Sequence, residues 1–471
     1  MEQRRYGEVS YPAFRARNVR CARRKFEGCR EKRGSNDPNF RPTLSKPPAW
    51  ASAGQKLWET CRLSLSDLNK EETAQPLPLG CQFPRFCPIP RLTVPCYAAT
   101  IIGELMKAVT VYPGRRAVDI LDIPEPRLAA PTQAKLRMLE VGVCGTDKDI
   151  CAFALGTPPA GADHFVLGHE SLAEVVETGP AVTDLRAGDL VVSTVRLPCS
   201  DPHCVPCRAG HYDFCMTGKY GEHGIKDLDG FMTEFVVEDR QNLHPVAREL
   251  RDVAVLVEPL TIAEKALIEV REIQRRLPWG GGPHRAVVLG SGPVGLLGAM
   301  VLVNAGFETC VYSRPPKPNA NAAVAEAIGA RYLSSEETPI EDMAEQVGNI
   351  DLIYEAAGAP QFAFEVLKHL GANGIYVFTG VPRREDPIVF DTERIMLNLV
   401  LKNQAVLGVV NAGPQAFDDA VRDIGVFAAR WPEALRAMIT GRYPMEAFRD
   451  PVMGRAGGIK NVISICGAGA P

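Results

Sequence analysis

Ala286-Val287-Val288-Leu289-Gly290-Ser291-Gly292-Pro293-Val294-Gly295 is the stretch that decides the fold. Four apolar residues, read as a buried strand, run into G-x-G-x-x-G, and a helix of small residues follows. The glycines permit a tight turn and let the backbone approach a pyrophosphate, which rests on the helix N-terminus. Alone the motif is weak. Here strands and helices alternate after it: strand Thr309–Tyr312, helix Ala320–Ile328, strand Asp351–Glu355, a helix to Leu370, strand Gly374–Phe378. That order predicts a doubly wound parallel sheet, an α/β Rossmann domain. The uncharged run from Ala286 to Phe307 has the length of a membrane span. Its glycines, however, fall at 290, 292, 295, 298 and 306, as a strand–turn–helix phosphate loop requires.

The tip of the next strand selects between the two nicotinamide dinucleotides. A carboxylate there would hold the ribose hydroxyls of NAD and repel a 2′-phosphate. The sequence reads Tyr312-Ser313-Arg314-Pro315 with Lys317 beyond, so Ser313 and Arg314 are donors suited to a phosphate. NADP is the expected cofactor, with NAD possible.

Upstream, Ala134–Val141, Ala173–Thr178, Leu190–Val195 and Phe235–Val237 read as short strands of a β-rich partial barrel. Within it lie Gly168-His169-Glu170 and four cysteines, Cys199, Cys204, Cys207 and Cys215, the last three spaced C-x2-C-x7-C. Four thiolates in one loop imply a closed tetrahedral structural zinc. His203 is a lower-ranked alternative to Cys199. Cys144, His169 and either Glu170 or Glu258 offer a thiolate, an imidazole and a carboxylate for a second zinc with an open, catalytic position. Cys151 and Cys310 read as core thiols.

With 471 residues, 46% apolar and 23% charged, the chain has room for two or three domains. Residues 1–105 hold 18 Lys+Arg against 10 Asp+Glu, leaving 35 against 46 for the rest. The acidic body argues against nucleic acid or an anionic membrane as partner. Residues 1–105 are basic, proline-rich and poorly periodic, and are expected to be a disordered or non-native extension. The first residues lack an apolar signal core. The 14 cysteines therefore suit zinc-bound thiolates in a reducing cytoplasm.

Taken together these residues carry a resemblance. From Met106 onward the chain resembles the zinc-dependent medium-chain alcohol dehydrogenases, and among them the archaeal-type glucose 1-dehydrogenases. The shared motifs are Gly168-His169-Glu170 with Gly179 and Val182; Cys144-Gly145-Thr146-Asp147; Tyr220-Gly221-Glu222-His223-Gly224-Ile225-Lys226 leading to Asp229-Gly230-Phe231; Val257-Glu258-Pro259-Leu260 with Glu264-Lys265-Ala266; and Val409-Val410-Asn411. Departures are Ala173 in place of a glycine, the longer Cys199–Cys204 spacing, and Ile262 where some relatives carry an acid.

The resemblance implies a GroES-like catalytic domain over 106–262, a Rossmann domain over 263–410, and a return of 411–471 to the catalytic domain through strand Val462–Ile465. It implies catalytic zinc at Cys144, His169 and Glu170 or Glu258. Sugar hydroxyls are then held by Thr146, Glu222, Glu258 and Asn411. The nucleotide site takes in Gly290, Ser291, Gly292, Pro293, Val294, Gly295, Ser313 and Arg314, together with Phe378, Thr379, Gly380, Val409, Val410 and Asn411. A homo-oligomer, tetramer or dimer, is implied as well. The expected reaction is hydride transfer from C1 of an aldose, D-glucose foremost, to NAD(P), with Thr146 passing the hydroxyl proton toward Asp149. The competing readings are a zinc polyol or secondary-alcohol dehydrogenase, a catalytically silent nucleotide sensor, and a zinc-free quinone reductase, which would lack the cysteine loop.

Overall fold

The computed structural model describes residues 104–279, 282–382, 387–454 and 456–466. Apart from Glu104 and Leu105, the expected disordered extension lies outside the described residues. Eleven strands come first: β1 (Leu105–Tyr112), β2 (Ala117–Pro124), β3 (Gln133–Gly142), β4 (Phe165–Val166), β5 (Glu170–Thr178), β6 (Leu190–Ser193), β7 (Arg196–Leu197), β8 (Gly221–His223), β9 (Asp227–Leu228), β10 (Phe235–Asp239) and β11 (Leu243–Val246). The nucleotide half follows with β12 (Arg285–Leu289), β13 (Glu308–Ser313), β14 (Arg331–Ser334), β15 (Leu352–Glu355), β16 (Ile375–Phe378) and β17 (Ala405–Gly408). β18 (Ile439–Pro444) and β19 (Lys460–Ser464) end the chain.

In β3, burial alternates through Ala134, Leu136 and Met138, the pattern of a strand with one face on a core. β3 pairs with β5, β10 and β19 in a sheet ordered β11-β6-β5-β3-β19-β18. The last strand therefore returns to the first half, with Val462 opposite Gly142. By contrast Ala286 to Leu289 of β12 are buried without alternation, as a parallel strand covered on both faces requires. The second sheet runs β14-β13-β12-β15-β16-β17, all parallel, with its switch point between β12 and β15.

One apolar cluster joins the halves, from Leu172 and Val192 through Leu260 and Leu267 to Val288 and Leu297. Its axis is the helix Val257–Gln274, which runs unbroken through position 262 and packs on helix Pro414–Arg430. The pattern reading passed over that second helix, although it buries Phe417, Ala420, Ile424 and Phe427 on one face. It also passed over β14, β17 and helix Thr392–Leu401. Two of these are four-residue strands, and the helix buries none of its residues, so none shows an interpretable period.

Candidate active site

The four cysteines converge. Their sulfurs all lie within 4.8 Å of one another, with Cys199–Cys207 at 3.6 Å and Cys204–Cys215 at 3.9 Å, and none is in a disulfide. Four sulfurs each about 2.3 Å from one ion at tetrahedral angles stand about 3.8 Å apart, so the set fits zinc. The thiols do not share one acidity. Burial pushes Cys207 up to about 12. Burial also opposes the Cys215 thiolate, but Thr217 and the neighbouring thiols draw it down to about 6. A cation at the centre is what would let all four ionise. Cys199, and not His203, completes the close set of four. Cys151 and Cys310 are buried core thiols, each pushed up to about 12 by burial.

The second cluster is built from separate elements. Cys144 precedes helix Gly145–Cys151, His169 ends the Gly168 turn, and Glu170 opens β5; their ligand atoms lie within 4.8 Å of one another. Asp147, fully buried, orders two of them. One oxygen accepts from the Cys144 backbone N–H at 2.8 Å, and the other faces His169 Nδ1 at 3.3 Å. With Nδ1 turned to Asp147, Nε2 is the ring nitrogen left for a metal, the second-sphere arrangement common to zinc histidines. Burial works against a charge on this imidazole, yet Asp147 and Cys144 hold its pKa well above the ordinary value.

Glu170 is paired with the Lys460 ammonium, which also donates to Val143 O at 3.1 Å; both side chains are almost fully buried. Glu258 is not a member of the close set. It stands near enough to feel His169, Glu170, Lys460 and Asp147, and burial is the main force lifting it to about 7. The excess of acids and thiol around one imidazole and one ammonium is a donor set that calls for a cation. Thr146 lies at its edge, with Oγ1 3.8 Å from Cys144 Sγ.

The segment carrying Glu222, from β8 to Gly230, is pressed onto this cluster by glycines. A Cβ on Gly224 or on Gly230 would stand 2.3 Å from Gly168 O, so only bare backbone fits against the turn that delivers His169. Glu222 and Asn411, far apart in sequence, meet: Asn411 Nδ2 donates to Glu222 Oε1 at 2.6 Å. Buried Arg196 joins them, donating to the same oxygen. The family resemblance points to Glu222 and Asn411 but not to Arg196, Lys460 or the role of Asp147. The next residue, His223, is buried, with Nδ1 on Asp229 O at 2.8 Å and Nε2 on Glu238 at 2.9 Å. Lys265 pairs with Asp213 of the cysteine loop at 2.7 Å and donates to Val410 O at 3.1 Å, tying that loop to the segment before Asn411.

In the nucleotide half Gly290 has φ of +93°, and a Cβ on Gly295 would lie 2.1 Å from Gly290 O. A Cβ on Gly292 would meet nothing within 4 Å. This glycine caps helix Pro293–Asn304, so an open cradle faces a helix N-terminus, as a pyrophosphate requires. Ser291 donates to Ser313 Oγ at 2.9 Å, and Arg314 is exposed at the tip of β13. Val294 packs against the core, Phe378 ends β16, Val409 is buried and Val410 exposed. Glu355, missed in the sequence, accepts from the backbone N–H of Ala357, Gly358 and Gly380 and so ties the turns after β15 and β16 together. Thr379 donates to Glu355 O at 2.7 Å, fixing the same junction.

A parallel nucleotide sheet, a four-thiol loop and an open Cys-His-Glu cluster define the medium-chain alcohol dehydrogenase class, and the chain belongs to the glucose 1-dehydrogenase family within it. Residues 130–248 match the alcohol dehydrogenase GroES-like domain and residues 251–465 the glucose dehydrogenase C-terminus. The chain is 38% identical over 361 residues to a glucose 1-dehydrogenase of Methanocella arvoryzae, covering 76% of this chain and 99% of the relative. It is 37% identical over 364 residues to one of Thermoproteus tenax, with the same coverage. Among solved structures, the Haloferax mediterranei glucose dehydrogenase in complex with NADP, Zn and gluconolactone superposes with a TM-score of 0.69 at 32% identity, over 76% of this chain and 99% of that one.

Proposed function

We propose that this chain oxidises an aldopyranose at C1, D-glucose foremost, to the aldonolactone, with NADP as preferred hydride acceptor and NAD the weaker one. The observation that carries the reading is the Cys144–His169–Glu170 cluster together with Glu222, which accepts from Asn411 and sits two residues before Gly224, the glycine packed on the Gly168 turn. Cys144, His169 and Glu170 would hold a catalytic zinc, Cys199, Cys204, Cys207 and Cys215 a structural one, and Gly290 to Gly295 the dinucleotide. When bound, the zinc lowers the pKa of the C1 hydroxyl and the nicotinamide supplies the hydride acceptor.

The chain's own residues do the rest. Asp147 fixes the His169 ring. Thr146 takes the hydroxyl proton at Oγ1 and passes one on toward Asp149. Glu222 accepts from sugar hydroxyls, a contact that rejects substrates lacking them. Glu258, half-buried at the edge of the cluster, adds a second acceptor. Ser313 and Arg314 receive the 2′-phosphate. The division at residues 262/263 and 410/411 assigns the sugar to the first domain and the dinucleotide to the second.

A homo-oligomer, dimer or tetramer, is supported by helix Thr392–Leu401, which leaves Met396, Leu397, Val400 and Leu401 exposed beside Val406 of the edge strand β17. No helix among the described residues is long and apolar enough to cross a membrane. The thiol-rich centre suits the reducing cytoplasm. The test is a panel of glucose, galactose, xylose and sorbitol against NADP and NAD, with zinc measured on the same sample. Glucose with NADP should give the highest kcat/KM; sorbitol as the best substrate would overturn the reading.

A further inference from the structure

We propose that Arg196 is a positioning residue that fixes Glu222 so that one carboxylate oxygen, Oε2, is presented to a sugar hydroxyl. This rests on the reading of Glu222 as a sugar contact given above.

Arg196 and Glu222 stand directly opposite each other on the antiparallel strands β7 and β8. An arginine fork facing a carboxylate usually engages both oxygens, one N–H to each. Here it does not. Arg196 Nε at 3.0 Å and Nη2 at 2.9 Å both donate to Oε1, and Asn411 Nδ2 adds a third bond to that oxygen at 2.6 Å. Among the described residues no donor reaches Oε2. The guanidinium cannot swing to change this. Its Nη1 is held by Asp213 O at 3.0 Å, the Tyr220 ring lies 3.8 Å away, and the residue is only 5% exposed.

The consequence is chemical. One oxygen is filled with donors and the other is a pure acceptor with a fixed direction, which suits an O–H group and nothing that lacks one. The guanidinium also places a cation against the Glu222 carboxylate inside the protein, on the side away from Oε2. A lysine in this place would supply a point charge but could not hold Oε1 from two nitrogens. Asp213, which clamps Arg196 by its carbonyl, pairs through its side chain with Lys265. The sugar contact is therefore braced from the cysteine loop and from the nucleotide half at once.

The test is a double-mutant cycle on the zinc-loaded enzyme saturated with NADP, using Arg196→Met, Arg196→Lys, Glu222→Gln and Arg196→Met/Glu222→Gln. Steady-state rates are taken with D-glucose and its 2-, 3-, 4- and 6-deoxy analogues, and Tm and zinc content are measured on every variant. Arg196→Met should raise the glucose KM roughly tenfold or more, as losing bonds to a charged group does, with a much smaller change in kcat. Arg196→Lys should fall between it and the wild type. The penalty should vanish for the one deoxy sugar that lacks the hydroxyl facing Oε2, and in the Glu222→Gln background Arg196→Met should change KM less than about twofold.

Additive penalties in the double variant, or a KM penalty equal for every deoxy sugar, would overturn the proposal, because Arg196 would then act through the fold rather than through Glu222. If Glu222→Gln raises KM while neither arginine variant does, the positioning role fails and the Glu222 reading stands. If Glu222→Gln leaves KM unchanged, the reading of Glu222 fails and takes the proposal with it. Should Arg196→Met not fold, the lysine variant with the deoxy panel decides on the same criteria.

Discussion

The two thiol-bearing centres are built in opposite ways. The four-cysteine loop draws all its sulfurs from a single segment, Cys199 to Cys215. The Cys144–His169–Glu170 cluster gathers three elements and is held by residues from further away still: Asp147 on the helix after Cys144, Glu258 at the start of a long helix, Lys460 on the last strand. The closed centre has no carboxylate among its four donors. The open one is crowded with them and sits beside a cation of the protein's own. A centre that only has to stay shut can be local. A centre that has to admit a substrate needs its surroundings set from several directions, because the groups that tune it cannot all be its ligands.

Removing one thiol from each of the two proposed zinc sites gives the largest expected effect. Cys144→Ser should lower kcat/KM by roughly a thousandfold or more, as the loss of several kcal/mol of Lewis-acid stabilisation demands, with one zinc lost per chain and Tm little changed. Cys207→Ser should do the reverse: a Tm lower by roughly 10 °C or more, since structural zinc contributes directly to folding, and a smaller loss of activity per chain that remains folded. If the two variants lose activity and stability in equal measure, the division between a folding centre and a reacting one collapses.

The next effect probes the protein's own cation. Lys460→Met leaves Glu170 buried without its ammonium, and kcat/KM should fall about 10- to 100-fold as the support of a ligand is withdrawn. Zinc retention and activity both at wild-type level would remove Lys460 from the account. Smaller again is Arg314→Ala, which should weaken NADP binding by about tenfold, the worth of a charge-assisted bond, and leave NAD binding unchanged. Equal losses for both dinucleotides would place Arg314 outside the phosphate contact.

The smallest is a pH effect at His223, next to Glu222. Burial opposes the charge on His223, but its bonds to Glu238 and Asp229 hold its pKa above 6.5, while His223 and Asn242 hold Glu238 below 4.5 against its own burial. A histidine raised in the folded state contributes stability that is full below about pH 6.5 and fades as pH rises through its folded value. The Glu238 contribution fades at the other end, as pH falls through its depressed value. The Tm advantage of the wild type over His223→Gln should therefore shrink from pH 6 to pH 9. A difference that stays flat over that range would mean that the pair carries no charge.

What was legible in the sequence divides along the same line. The phosphate loop, the thiol loop and the Cys144, His169 and Glu170 set could be read because each lies within a short motif of fixed spacing. Glu258 was the harder case: charge alone made it as good a ligand as Glu170, and only the path of its helix keeps it outside the close set. Lys460, Arg196 and Lys265 could not be read, since a basic residue on a strand or helix says nothing of the acid it will meet. Lys460 meets Val143 across 317 residues of chain, and Lys265 meets Val410 across 145. Helix Thr392–Leu401 escaped for a different reason: Met396, Leu397, Val400 and Leu401 are exposed while only Ile395 packs on a core, so the inside–outside contrast that marks a helix in sequence is blurred.

The stacked glycines at 168, 224 and 230 limit how this enzyme can be re-engineered. Backbone touches backbone there, so a codon library randomised at those three positions should return glycine almost alone. Any campaign to change the accepted sugar would do better to vary residues around that stack than to spend diversity on it.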